Sequence, residues 1–120
     1  MANKEIGSIG EDLATSFLKK NGYVVLHRNK RMPGGEIDVI ARAPAGELVF
    51  VEVKTLADES AGRLSPEDEV SSAKLQKMRR AAGLFANANP KLVREERGWR
   101  IDAIAVVLTD PPTIRHYENV

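Results

Sequence analysis

Two short apolar runs, each carrying charges near one end, constrain this 120-residue chain more than any other feature. Gly35-Glu36-Ile37-Asp38-Val39-Ile40 and Val49-Phe50-Val51-Glu52-Val53-Lys54 are otherwise apolar on both faces. Strands of that kind belong in the middle of a sheet, covered above and below. The turn residues Pro44-Ala45-Gly46 lie between Glu36–Arg42 and Glu47–Thr55, which predicts a hairpin. A three-residue loop there sets Asp38 opposite Glu52 and Glu36 opposite Lys54. Facing side chains in an antiparallel pair begin about 5 Å apart at Cβ.

The rest of the chain supplies the cover. Ile6, Ile9, Leu13, Ala14, Phe17 and Leu18 recur at helical spacing, with Asn3 a suitable N-cap and Asn21-Gly22 a stop. Tyr23–Arg28 reads as a strand, followed by a basic stretch, His27 to Arg31, and a breaker at Pro33-Gly34-Gly35. Leu56–Leu64 is polar and patternless, the mark of a loop. Ser65-Pro66-Glu67-Asp68 starts a second helix, with Val70, Ala73, Met78, Ala81, Ala82 and Phe85 on one face and Lys77, Arg79 and Arg80 placed to suit its C-terminal dipole. Trp99–Leu108 and Thr113–Tyr117 are further strands, the last at an edge. The order α-β-β-β-α-β-β predicts one α/β domain over residues 1–120, with a mixed, largely antiparallel sheet flanked by two helices.

Two carboxylates side by side at the end of buried strands repel and raise each other's proton affinity. A divalent cation resolves that conflict, and an all-oxygen donor set suits Mg2+ or Mn2+. Lys54, on the face of Glu52, would balance charge, orient a water or stabilise a phosphorane-like transition state. The bland alternative is a cross-strand ion-pair ladder of Glu36, Asp38, Glu52 and Lys54, which spacing alone allows equally. Location favours a site, because a ladder belongs on a solvated face and this one turns apolar within two residues.

Composition narrows the chemistry further. With no cysteine, disulfides, thiolate metal sites and cysteine nucleophiles are excluded. His27 and His116 have no partner at metal-ligand spacing, so zinc or histidine-base chemistry has no support. Aromatics are 5% of residues, too few for a base-stacking platform or sugar subsites. A glycosidase would also not want Lys54 beside its acid pair. Net charge is only +1, so contact with a polyanion must come from local patches. No apolar run is long enough to span a bilayer, and the start Met-Ala-Asn-Lys-Glu lacks a signal-peptide centre. A cytoplasmic protein without membrane contact is expected.

Asp38, followed at strand distance by Glu52-Val53-Lys54, resembles the PD-(D/E)XK signature, with Ile37 where that motif has proline. More closely, Gly10-Glu11, Ala14, Gly22-Tyr23, Asn29, Gly35-Glu36-Ile37-Asp38, Phe50-Val51-Glu52-Val53-Lys54 and Arg100-Ile101-Asp102 resemble the YraN family over nearly the whole chain. Leu56 stands where that family often has arginine. These are bacterial proteins described as predicted endonucleases and related in fold to archaeal Holliday-junction resolvases. The resemblance implies a restriction-endonuclease-like core and hydrolysis of DNA, branched or damaged forms included. It also implies Asp38, Glu52 and Lys54 in catalysis, and Glu11 as a third metal ligand with Asp38 and Glu52. Resolvase-like action needs two active sites, hence a homodimer. A non-catalytic nucleic-acid-binding or adaptor protein on the same fold is the alternative.

Outlying residues have two readings each. Glu11 suits a metal, or merely the positive end of its helix. Lys74 would reach a scissile phosphate, or snorkel to solvent. Arg28, Lys30, Arg31 and Lys77 would contact backbone phosphates, or remain simply solvated. Arg100 and Asp102 read as a structural pair, joined to each other or to Glu36.

Overall fold

The computed structural model describes residues 3–58 and 72–120. It contains α1 (Asn3–Lys20), β1 (Val24–Met32), β2 (Gly35–Arg42), β3 (Leu48–Leu56), α2 (Ser72–Ala88), β4 (Trp99–Val107) and β5 (Thr113–Tyr117), with a short 3-10 turn at Pro90–Leu92. The strands form one sheet in the order β1-β2-β3-β4-β5. β3 and β4 run parallel and the other neighbours antiparallel. A parallel pair needs a long crossover, and α2 lies within it. This is the expected mixed α/β architecture with flanking helices. Ser65–Asp68, Val70 and most of the Leu56–Leu64 segment fall outside the described residues.

α1 stops as its sequence requires. Gly22 takes φ +85, the Gly22 and Tyr23 N–H groups donate to the carbonyls of Lys19 and Leu18, and the Asn21 side chain donates to Phe17 O at 2.8 Å. That pairing is a Schellman closure, in which a left-handed glycine satisfies carbonyls the helix leaves open. At the other end Asn3, expected to cap the helix, already lies within it. One face of the sheet packs Val39, Ala41, Val49, Val51, Ile104 and Val106 against Ala14 and Leu18 of α1. The other packs Ile37, Ile40, Leu48, Phe50 and Ile101 against Met78, Ala81, Ala82 and Phe85 of α2.

Three expectations change. β1 continues through the basic stretch to Met32, because its pairing with β2 runs on to Met32↔Gly35 and the Pro33-Gly34 turn. His27 to Arg31 are therefore part of an outer strand, not a loop. Lys77, Arg79 and Arg80 lie two turns or more before the end of α2 at Ala88, whose last turn carries no basic residue, so they do not serve its C-terminal dipole. Ile9 of the α1 apolar set is partly exposed.

Candidate metal and nucleic-acid site

The hairpin register is the one the turn implies. Arg42↔Leu48, Ala41↔Val49, Ile40↔Phe50 and Val39↔Val51 pair in sequence, which brings Asp38 and Glu52 to the next position. There the ladder stops. The Val53 N–H donates to Asp38 Oδ2 at 2.8 Å, so a side-chain carboxylate takes the place of a main-chain acceptor. Two further irregularities meet at this point. Asn29, across from Asp38 on β1, has φ +51, and Ile37 and Ile40 pack toward the same helix although alternation would separate them. Since pairing ends at Val39↔Val51, Glu36 is not carried opposite Lys54 as expected; its register partner is Arg31 of β1.

The seam is strongly acidic. Burial, then the charge of Glu52, pushes the Asp38 carboxyl up to about 7; the Val53 N–H opposes this, while Glu11 and Glu36 add to it. Three carboxylates, from α1, β2 and β3, thus act on Asp38. Such a perturbed group beside charged neighbours marks a functional-site candidate. Lys74, half-exposed on the first turn of α2, lies 3.5 Å from Glu52 Oε1.

Three open depressions surround the seam. One of about 260 Å³ is lined by Gly35, Glu36, Glu52, Lys74 and Lys77. A second, about 450 Å³, is lined by Gly7, Glu11, Lys54, Thr55 and Lys74. A third, about 490 Å³, is lined by Gly7, Glu11, Arg28, Asn29 and Glu36. The candidate acids and the cations Arg28, Lys54, Lys74 and Lys77 therefore gather at one end of the sheet. Arg28 is also held 2.8 Å from Asp12 of α1. Lys30 and Arg31 lie farther along β1, toward the Pro33 turn. α1 can come this close because residue 10 is glycine: a Cβ there would sit 1.8 Å from Thr55 Oγ1. Among the described residues no three Asp, Glu or His side chains already stand together as a metal-binding group. The donor set itself is all oxygen, with one carboxyl whose proton affinity is raised by its neighbours. That suits a hard divalent ion.

A second polar cluster, in the first half of β4, was only partly legible. Asp102 is fully buried on the α1 face. It accepts from Arg100 Nε at 2.9 Å and the Asn119 N–H at 3.0 Å, and lies 2.7 Å from His116 Nε2. Arg100 also reaches Glu47, Tyr23 Oη and Glu118, not Glu36. Burial alone would raise the Asp102 carboxyl, but hydrogen bonds from His116 and Arg100 hold it below its ordinary value. Desolvation works against the Arg100 charge, yet its bonds to Asp102 hold the guanidinium firmly protonated. The available signal was Asp102 itself, a lone acid in an apolar strand that must find partners; nothing in the spacing pointed to His116 or Glu118.

Fold and seam together define a mixed α/β protein with an acidic sheet end ringed by cations. The chain belongs to the uncharacterised protein family UPF0102, whose pattern matches residues 10–106. It is 43% identical over 109 residues to a UPF0102 protein of Pelobacter propionicus, covering 90% of this chain and 74% of that one. It is 34% identical over 119 residues to one from Dictyoglomus thermophilum, covering 98% and 95%. A crystal structure of a repair endonuclease from Pyrococcus abyssi aligns with a TM-score of 0.46 and 16% identity. That alignment covers 88% of this chain and only 38% of the other, a distant likeness. No described helix is long and apolar enough to cross a membrane.

Proposed function

We propose that this protein is a divalent-metal-dependent endonuclease of the PD-(D/E)XK type that hydrolyses phosphodiester bonds in DNA. The observation that carries the reading is the Asp38 seam. A carboxyl is held in a gap of the sheet by the Val53 N–H, and burial first, then Glu52, with Glu11 and Glu36 adding, pushes it up to about 7. A cluster that unfavourable for folding asks for a compensating cation.

Asp38 and Glu52, with Glu11 as third acid, would hold Mg2+ or Mn2+. Such an ion supplies Lewis-acid stabilisation of phosphoryl oxygens and a more acidic bound water. The protein side is carried by its own groups. Asp38 is fixed in orientation through Val53, so its carboxylate is presented without reorganisation. Lys54 follows Glu52 on the same face of β3 and is placed to neutralise charge developing on the scissile phosphate. Lys74 and Lys77 of α2, with Arg28, Lys30 and Arg31 of β1, offer sequence-independent phosphate contacts. Their affinity for DNA would fall steeply with salt.

The test is a panel of single-stranded, duplex, flap and four-way DNA incubated with Mg2+ or Mn2+, beside Asp38→Ala and Lys54→Ala. Metal-dependent cutting by the wild type, lost in both variants while binding persists, is the expected result. Binding without cutting of any substrate would refute the enzyme and leave an adaptor that kept the fold.

A further inference from the structure

Two glycines wall the acidic depressions although neither the backbone nor the packing requires glycine there. Gly7 lies inside α1, where glycine is a poorer helix former than alanine. A Cβ on Gly7 would meet nothing within 4 Å, yet Gly7 lines both depressions that contain Glu11. Gly35 opens β2 without a left-handed φ, and a Cβ there also meets nothing within 4 Å. It lines the depression that holds Glu36, Glu52, Lys74 and Lys77. Most of the other described glycines have plain reasons. Gly10 is pressed against Thr55, and Gly22, Gly34, Gly46 and Gly98 take positive φ. Gly83 of α2 is as uncrowded as Gly7 but does not line these depressions.

We infer that Gly7 and Gly35 keep the protein surface bare so that a nucleic-acid sugar–phosphate backbone can lie against the main chain on both sides of the carboxylate seam. This rests on the nuclease reading and adds to it where the strand runs. Gly7 approaches from α1 and Gly35 from the start of β2, the strand that carries Asp38, with Glu52 on neighbouring β3. Missing side chains allow close backbone approach to a ligand. The cations that ring the same depressions, Arg28, Lys54, Lys74 and Lys77, provide the complement to phosphate. A side chain at either glycine would occupy space that the ligand needs while leaving the fold undisturbed.

The experiment compares Gly7→Ala, Gly7→Leu, Gly35→Val and Gly83→Ala with wild type. It reads thermal midpoint, Mn2+ affinity by calorimetry, and affinity for and cutting of a short duplex DNA. Gly7→Ala and Gly83→Ala should raise the midpoint by about 2–5 °C, as helix propensity dictates. Gly7→Leu and Gly35→Val should weaken DNA binding about tenfold or more, with Mn2+ affinity unchanged. Gly83→Ala should bind DNA as wild type does. If wild type cuts DNA and the two bulky variants bind it equally well, the clearance role is overturned and the nuclease reading stands. A loss of DNA affinity that tracks a lower midpoint or weaker Mn2+ binding also overturns it, since the glycines would then be structural. If wild type neither binds nor cuts nucleic acid, both readings fall together.

Discussion

Replacing Asp38 with asparagine should stabilise this protein at neutral pH in metal-free buffer. The carboxyl is raised from 3.8 to about 7 by burial and then by Glu52. The folded state therefore holds the proton more tightly than the unfolded chain. Its contribution to stability is fully present below pH 3.8 and shrinks as the unfolded chain ionises. The loss is complete once pH passes the folded value near 7. That interval sets a ceiling of about 4 kcal/mol on the loss. Solvent access to a partly buried carboxyl reduces the expected figure to about 2 kcal/mol. Asparagine keeps an acceptor for the Val53 N–H while removing the charge, so the variant separates the burial and repulsion of that charge from the hydrogen bond. Urea unfolding of both proteins in EDTA between pH 4 and 8.5 provides the comparison. The two stabilities should converge near pH 4, separate up to pH 7 and stay apart above it. Millimolar Mn2+ should then stabilise wild type and leave the variant unmoved. A variant less stable than wild type at pH 8, or a difference that ignores pH, would refute the idea that Asp38 is held against its charge.

Two further predictions concern the seating of α1 and the cluster around Asp102. Gly10→Ala should cost about 1–3 kcal/mol in urea unfolding, because the new methyl group overlaps Thr55 and must push α1 off the sheet; unchanged stability would mean α1 does not seat there. Asp102→Ala should cost about 3–5 kcal/mol by leaving the largely buried Arg100 without its principal partner. Since the Asp102 carboxyl is lowered, its stabilisation is present above pH 3.8 and disappears as pH falls through the folded value. The variant should accordingly lose part of the acid sensitivity that wild type shows.

The centre of the fold was legible because local rules agreed with one another. Two-sided apolarity put the hairpin in the middle of the sheet, and the Pro44–Gly46 turn set its register, which Val39↔Val51 delivers. Gly22 stopped α1 for a reason visible in two letters. What the letters could not show were consequences of long-range geometry. The basic run became strand because β2 offered it a partner as far as Gly35, a gain that no local propensity records. Asp102 signalled a buried demand without naming who would meet it; Arg100, His116 and the Asn119 N–H answer, from β4 itself, from β5 and from the residues after it.

The same distinction explains why the seam reads as a site and the Asp102 cluster as a strut. Around Asp102 the acids converge on Arg100, and hydrogen bonds from His116 and Arg100 lower the Asp102 carboxyl. Around Asp38 four acids accumulate, and the nearest acid, Glu52, is offset by a half-exposed lysine at 3.5 Å. A fold selected only for stability would resolve that repulsion, since replacing one acid with an amide would do so. On the nuclease reading, a divalent ion bringing positive charge in from outside accounts for its persistence. The affinity of the wild type for a divalent ion, measured against its instability without one, is therefore the quantity on which the functional reading turns.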